Sequence, residues 1–224
     1  MNTVENNVKT VAVFSDDNRH RTLLRKTWSE DEDMKKAAIL MIFPASNNIA
    51  VLDTTTMIVM NALANAGFKS VDILNIYSKI DGKPGQGSAG GNIAENDEQI
   101  RNSANEVDNL IIAWGTGGEG NSRIRARQME VLRILEPFKS KLMTTVDGRN
   151  KMSMHPLTPS LRKSFGITEF DFPDIHAIAD ENDADEGNGS EITDDVPAFV
   201  RERGQGRRGK YKKKNDDLPE GDDS

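Results

Sequence analysis

Residues 39–56 read ILMIFPASNNIAVLDTTT. The apolar run at the start of this segment, Ala37 to Phe43, is too short to cross a membrane and predicts a strand that is buried on both faces. Strands of this kind are typical of the centre of a parallel sheet. Pro44 ends the run, and small polar residues follow it. Because open α/β sheets bind their ligands at the carboxyl ends of central strands, the sequence predicts a ligand site directly after Phe43.

The remainder of the first 168 residues alternates between β-prone and helical segments. Strands are predicted at Val8–Phe14, Thr22–Trp28, Val71–Tyr77, Asn109–Trp114 and Lys141–Val146, and helices at Thr54–Ala66, Ile93–Val107, Ser122–Phe138 and Thr158–Phe165. A polar, turn-rich stretch separates the first two strands, which predicts an N-terminal β-hairpin at the edge of the sheet. The later alternation predicts a three-layer α/β fold, with a mostly parallel sheet and helices on both faces.

The charged residues are distributed unevenly along the 224-residue chain. Residues 169–224 contain 17 acidic and 8 basic side chains and carry a formal charge of −9, whereas residues 1–168 carry +2. The terminal segment is poor in apolar residues and runs from acidic to basic to acidic. It is therefore predicted to be a disordered tail on an α/β domain of residues 1–168. The near-neutral domain is compatible with a phosphate-bearing ligand.

Composition and missing motifs exclude several function classes. The chain has no cysteine, which excludes disulfides, thiolate metal sites and cysteine catalysis. It also lacks a P-loop, a G-x-S-x-G elbow and an H-E-x-x-H pair, and neither a metal nor a cofactor is predicted. Without a signal peptide, a lipidation motif or a long apolar run, the protein is expected in the cytoplasm and away from membranes. The glycine-rich segment 81–91 is either a surface insertion or a lid over the site.

Residues 115–120 match the pattern G-x-G-x-x-G between a predicted strand and a predicted helix. The pattern follows the third inner strand, and Asp147 lies too far along the chain to be the acid of a dinucleotide fingerprint. A weaker interpretation is that the glycines and the helix start hold a phosphate or another anion, with Arg123, Arg125 or Arg127 beside it. The alternative is an ordinary glycine turn before a helix whose arginines face solvent.

Two predicted loops carry polar side chains suited to chemistry. His155, followed by Pro156, can donate a hydrogen bond to a developing oxyanion or act as an acid or base near neutral pH, although a loop histidine can also be structural. Asn47 and Asn48 can orient a water or bind a base edge. The alternative is that this loop makes turns and that Asp53 caps the next helix, which is the favoured interpretation for Asp53.

Residues 201–214 form a basic segment that combines arginine, glycine and one tyrosine. Unstructured nucleic-acid-binding segments have this composition. The segment is either an auxiliary anchor for nucleic acid or part of a solubilising tail.

Six short motifs occur in a fixed order between about His20 and Leu161. They are Phe43-Pro-Ala-Ser46, Asp53-Thr-Thr55, Asn75-Ile-Tyr77, Glu95-Asn-Asp97, Ala113-Trp-Gly115 and His155-Pro-Leu157. Together they resemble the signature of a bacterial and phage domain family of unknown function. The chain departs from that signature at three positions: Phe43 replaces an asparagine, Asn48 an aspartate and Thr54 a proline.

The layout of that family is in turn similar to the uracil-DNA glycosylases. The resemblance implies a glycosylase-like pocket in which Asn47 or Asn48 positions water, Phe43 stacks on a flipped base and His155 holds the base oxyanion. The implied substrate-binding residues are Phe43, Pro44, Ser46, Asp53, Asn75, Asn96, Trp114, Gly115, Arg123 and Arg127. The expected function is that of a protein directed at DNA or a nucleotide, with hydrolysis of an N-glycosidic bond as the reaction. The alternatives are a non-catalytic module of a phage or mobile element that binds a nucleotide or a protein, and hydrolysis of a small nucleotide.

Overall fold

The computed structural model describes residues 1–82 and 93–175. Within these ranges the strands are β1 (Lys9–Phe14), β2 (Arg21–Thr27), β3 (Lys35–Met41), β4 (Phe68–Asn75), β5 (Asn109–Ile112), β6 (Leu142–Val146) and β7 (Gly166–Glu169). The helices are α1 (Thr54–Asn65), α2 (Ile93–Glu106), α3 (Ser122–Leu135) and α4 (Pro159–Lys163), and a 3₁₀ helix at Glu136–Lys141 follows α3 directly. The sequence predicts α3 to run to Phe138, but Pro137 lacks a backbone donor and the chain tightens there.

The strands form one mixed sheet in the order β1-β2-β4-β3-β5-β6-β7. The four central strands are parallel to one another, and three of the six neighbouring pairs are antiparallel. The prediction of a mostly parallel sheet is therefore wrong. The N-terminal hairpin adds two antiparallel pairs at one edge, and the unpredicted strand β7 adds a third by returning along β6. Strand β7 has four residues and one large apolar side chain, Ile167, and this pattern is too short to predict a strand from the sequence.

The predicted N-terminal hairpin is confirmed. Strand β1 pairs antiparallel with β2 and forms one edge of the sheet, while β2 also pairs with β4. Directly after β2, Trp28 Nε1 donates a hydrogen bond to Phe68 O over 2.8 Å. This contact places Trp28 at the amino ends of the central parallel strands.

Strand β3 is buried on both faces, as its apolar run predicts. Ile39 belongs to the apolar cluster that contains Val59 and Leu63 of α1. Leu40 belongs to the opposite cluster, which contains residues of α2 and α3 such as Ile100. Helix α1 therefore covers one face of the sheet and α2 with α3 covers the other, which confirms the predicted three layers.

The direction of chain winding reverses at β3. Helix α1 connects β3 to its neighbour β4. Helix α2 then connects β4 to β5, which is the neighbour of β3 in the other direction along the sheet. The loops that leave the carboxyl ends of β3 and β5 therefore diverge. A crevice at such a reversal is where open α/β sheets bind ligands, and the predicted site after Phe43 lies here.

Packing continues beyond the predicted domain end at residue 168. Strand β7 ends at Glu169, Phe170 and Phe172 pack against the core, and Ile175 is buried. The predicted tail from residue 176 onward, its basic segment and most of the glycine-rich segment lie outside the described residues. In the described ranges, no helix has both the length and the apolar content that a membrane span requires.

Candidate functional site

His155 lies in a loop that is fixed to β6. The hydroxyl of buried Thr145 donates to Met154 O over 2.7 Å and accepts from Met154 N over 2.8 Å. The N–H of Ser153 donates to Thr145 O over 2.9 Å, and Ser153 has a φ of +56°, which is uncommon for a residue with a side chain. These contacts set the backbone position of His155 without using its imidazole.

The His155 loop lies against Gly115, which follows β5. Gly115 has a φ of +64°, and a Cβ atom there would lie 3.0 Å from both the N and Cβ atoms of His155. Glycine alone satisfies both the left-handed backbone and the close approach. The A-W-G and H-P-L motifs, which are distant in the sequence, therefore meet in the fold.

The imidazole of His155 is half-buried and has a defined proton position. Its Nδ1 accepts a hydrogen bond from the backbone N–H of Leu157 over 3.2 Å, so the neutral ring carries its proton on Nε2. Burial lowers the pKa of His155, and the carboxylate of Asp53 acts in the opposite direction. The side chain is therefore a neutral Nε2–H donor at pH 7.

Phe43 stacks on an aromatic ring of the protein itself. The ring centroids of Phe43 and Tyr77 are 5.1 Å apart and their planes are inclined by 14°. Gly82 approaches the Phe43 ring so closely that a Cβ atom would lie 2.4 Å from its Cδ1. The hydroxyl of Tyr77 donates to the carbonyl of Arg123 over 3.2 Å, which connects the stack to the first turn of α3. One face of the Phe43 ring is therefore closed to a base.

The loop after β3 is built from local turns. The side-chain oxygen of Asn48 accepts from Ala50 N over 3.0 Å, and Asn48 N donates to Ser46 Oγ over 3.0 Å. Asn47 and Asn48 are both exposed. The turn-forming interpretation of Asn48 is confirmed, because its amide oxygen is used by the backbone.

Asp53 caps helix α1, as its position predicts. Its Oδ1 accepts from Thr56 N over 3.0 Å and its Oδ2 accepts from Thr56 Oγ1 over 2.8 Å. Both carboxylate oxygens are thus engaged by the first turn of the helix.

Asn75 and Asn96 are buried where β4 meets α2. The amide nitrogen of Asn96 donates to Asn75 O over 2.9 Å and to Ile76 O over 3.2 Å, which holds α2 against the end of β4. Within the described residues, Asn96 Oδ1 and Asn75 Nδ2 have no hydrogen-bond partner. The amide nitrogen of Asn96 therefore has a structural role, whereas the amide nitrogen of Asn75 has no acceptor among the described residues.

The arginines of α3 occupy two different environments. Arg127 is 4% exposed and is paired with Asp97 and Glu130, and its Nε donates to Ile76 O. Arg123 and Arg125 are exposed. The predicted anion-binding arginine at position 127 thus has its charge neutralised within the fold.

The glycine turn before α3 has a packing role. A Cβ atom on Gly117 would lie 2.1 Å from Ile42 Cδ1, so the glycine lets the turn lie against the end of β3. Asn121 caps α3 by accepting from Ile124 N over 3.1 Å. These contacts favour the interpretation as an ordinary turn.

A separate cleft of about 330 Å³ lies towards the amino ends of β3 and β4. Several of its charged side chains are paired with one another: Arg25 with Asp72 and Glu106, and Lys69 with Glu32. These pairs neutralise part of the charge that lines the cleft.

A family model described as a protein of unknown function, DUF1643, matches residues 21–157. The chain belongs to the DUF1643 family. The matched range starts at the first residue of β2 and ends in the His155 loop, so it includes both loops of the crevice. No curated protein and no solved structure matches the chain.

Two cations that sequence analysis missed lie beside the crevice of this DUF1643 protein. Arg21 donates from Nη1 to Ser46 O over 2.9 Å, and Lys26 donates from Nζ to Thr10 Oγ1 over 2.8 Å and to Ile49 O over 3.0 Å. Burial lowers the pKa of both side chains, and Asp53 acts in the opposite direction on both. A basic residue in a short hairpin strand resembles an ordinary surface residue in sequence, so only the fold reveals them.

The DUF1643 fold brings only some of the predicted residues to the carboxyl edge of the sheet. Gly115 lies against His155 there, Ile42 after β3 lies against Gly117, and Asn75 ends the neighbouring strand β4. Pro44 is buried and Trp114 packs against the core beside α2 and α3. Among the described side chains, no group of three or more His, Asp or Glu residues is arranged to hold a metal ion.

Proposed function

We propose that this protein binds a base of a nucleotide or nucleic acid at the crevice between β3 and β5, and that base excision is its reaction. The observation that carries the proposal is the state of His155, a half-buried neutral imidazole whose Nε2–H is a donor. Its backbone is held by Thr145 on one side and by Gly115 on the other.

A fixed neutral donor suits the departure of a base. In hydrolysis of an N-glycosidic bond, the oxygen of water bonds to the sugar carbon, and the base leaves with the electron pair of the broken C–N bond. Negative charge then develops on the base, and a donor already in place stabilises it without reorganisation. His155 Nε2 has this role in the proposal, and the base takes up a proton after it leaves.

The resemblance to uracil-DNA glycosylases gives the water-positioning role to Asn47 or Asn48. The amide oxygen of Asn48 already accepts from Ala50 N, whereas no side-chain hydrogen bond engages Asn47 within the described residues. We therefore assign the water to Asn47 first.

A non-catalytic binding module is the second candidate. It is favoured because three groups of the crevice are engaged within the chain: the ring face of Phe43 by Tyr77, the oxygen of Asn48 by a turn and the carboxylate of Asp53 by α1. In this candidate the crevice binds a nucleotide or a protein partner and no bond is broken.

Comparison of His155→Ala with the wild type, both as full chains, tests the two candidates. Binding to single- and double-stranded DNA that carries uracil or modified bases is measured across a salt series, and the same samples are assayed for abasic sites. An enzyme releases bases, and His155→Ala loses turnover with little change in affinity. A binding module releases none, and His155→Ala lowers affinity.

His20→Ala is the matched control, because His20 is a part-buried histidine whose Nδ1 lies 3.0 Å from Ser78 Oγ. It should retain both binding and turnover. If the full chain binds no DNA at low salt, where phosphate contacts are strongest, and no nucleotide, the nucleic-acid proposal falls.

The basic segment 201–214 is proposed to be an auxiliary nucleic-acid anchor. Replacing its lysines and arginines with glutamine should weaken DNA binding uniformly across sequences and reduce the salt slope by about 1 for each phosphate that the segment no longer neutralises. An unchanged salt slope would assign the segment to solubility alone.

A further inference from the structure

Two buried cations lie next to the loop that follows β3. Arg21 and Lys26 of β2 are each 4% exposed. Their hydrogen-bond acceptors are the carbonyls of Ser46 and Ile49 and the hydroxyl of Thr10, all of which are neutral. In the described part of the chain, neither cation has a carboxylate within ion-pair distance.

Arg127 shows how the same fold treats an equally buried arginine. It is also 4% exposed, but Asp97 and Glu130 both pair with it. Arg25 of β2 is likewise paired, with Asp72 and Glu106. Because an unpaired buried charge is unfavourable, the absence of a carboxylate at Arg21 among the described residues indicates a counter-ion from outside the chain.

Two buried donors near the same loop also lack acceptors. Arg21 Nε has no hydrogen-bond partner within the described ranges, and neither does Asn75 Nδ2. The backbone N–H of Arg21 donates to Ser78 O over 2.8 Å, which places Arg21 beside the chain that leaves β4 after Asn75. The unused donor on the buried arginine matches a ligand that offers acceptors.

We propose that Arg21 and Lys26 form the binding site for a phosphate group of the ligand. Asp53 supplies one negative charge that acts on both cations, so one positive charge remains without compensation. A phosphodiester carries one negative charge and only acceptor oxygens, and a guanidinium binds it through charge-assisted hydrogen bonds. This site would bind the phosphate of the nucleotide in the proposed function. The identification of the ligand as a nucleotide rests on that function.

The position of this site agrees with a nucleotide whose base lies near His155. Asp53 caps α1 at the end of the loop after β3, and its charge acts in the same direction on the pKa of Arg21, Lys26 and His155. The Arg21 guanidinium contacts Ser46 O in the loop that borders the crevice. The phosphate would thus lie against the same loop that borders the crevice.

Thermal unfolding of the full chain tests the phosphate site. Inorganic phosphate is titrated against chloride at matched ionic strength, for the wild type, Arg21→Gln, Lys26→Gln and Arg133→Gln. Phosphate should raise the Tm of the wild type, because a ligand that binds the folded state stabilises it. Arg21→Gln should weaken phosphate binding about ten- to hundredfold, as expected for the loss of a charge-assisted hydrogen bond.

Arg133→Gln is the matched control, since this arginine is exposed and lies in the last turn of α3. It should respond to phosphate like the wild type. No Tm increase in the wild type, or an equal increase in Arg21→Gln, would overturn the proposal. If Arg21→Gln does not fold, the same comparison is made with Lys26→Gln, and an increase in Tm equal to that of the wild type would overturn the proposal. An equal increase with malonate would overturn the assignment to phosphate.

Failure of this site and failure of the proposed function give different results. If phosphate binds through Arg21 but neither DNA nor any nucleotide binds, the phosphate site stands and the proposed function fails. If DNA binds equally to the wild type and to Arg21→Gln, the phosphate site fails and the proposed function stands.

Discussion

At the scale of single residues, the protonation of His155 links its burial to stability. Its folded-state pKa lies below the usual value of about 6.5, so the unfolded chain takes up the proton first as the pH falls. The free energy of unfolding should therefore decrease below pH 6.5, by less than about 1.4 kcal/mol per pH unit, the limit for one proton. Urea unfolding between pH 5 and 8 should show this decrease in the wild type and a smaller one in His155→Gln. Identical pH profiles would contradict it.

Asp53 combines a cap and a charge, and two substitutions separate them. Asp53→Ala removes both hydrogen bonds to Thr56 and should lower the free energy of unfolding by about 1 kcal/mol. Asp53→Asn keeps the cap but removes the negative charge that acts on Arg21 and Lys26, and the pKa of His155 falls further because the same charge is lost. Urea unfolding and an NMR titration of the imidazole measure the two effects. Asn121→Ala, at the cap of α3, controls for loss of a cap elsewhere.

The polar residues of the site show the limit of sequence analysis at this scale. The caps and turns at Asp53 and Asn48 could be predicted, because their hydrogen bonds are local in the chain. Arg127 pairs with Asp97 and Arg21 bonds to Ser46, and both partners are distant in the chain. The same residue type therefore pairs with a carboxylate at one position and, among the described residues, has none within ion-pair distance at the other.

At the scale of elements, the contact between β5 and the His155 loop depends on two features of Gly115. Gly120 provides a comparison, because it has a φ of +77° but nothing lies near its Cβ direction. Gly120→Ala should cost about 1 kcal/mol for the left-handed backbone alone. Gly115→Ala should cost about 1–3 kcal/mol more, because the methyl group meets the backbone of His155. Chemical denaturation gives the difference, and equal losses would show that the close contact is unimportant.

Strands and helices were predictable to the extent that their patterns are local. The apolar run of β3 and the hairpin of β1 and β2 could be found in the sequence. Strand β7 could not, because it forms through pairing with β6 and not through its own composition. The antiparallel edges of the mixed sheet form through such pairings between strands. The alternation of strands and helices in the sequence predicts only the parallel centre of the sheet.

At the scale of the whole molecule, the end of the folded domain can be tested by truncation. The chain ending at residue 175 retains Phe170 and Phe172, whose rings make an edge contact at 6.4 Å, and buried Ile175. The chain ending at residue 168 loses all three side chains and should be less stable by about 3 kcal/mol, the scale for burying large apolar groups. Urea midpoints of the two chains measure the difference. Equal midpoints would show that the folded domain ends at residue 168.

The two tryptophans lie at opposite ends of the parallel strands. Trp28 bonds to the start of β4, and Trp114 follows β5 directly before Gly115. The chain contains no other tryptophan. Replacing Trp28 with phenylalanine would therefore leave a single tryptophan, which lies beside the crevice. Its emission would report the arrival of an unlabelled ligand in real time, whatever the chemistry of that ligand.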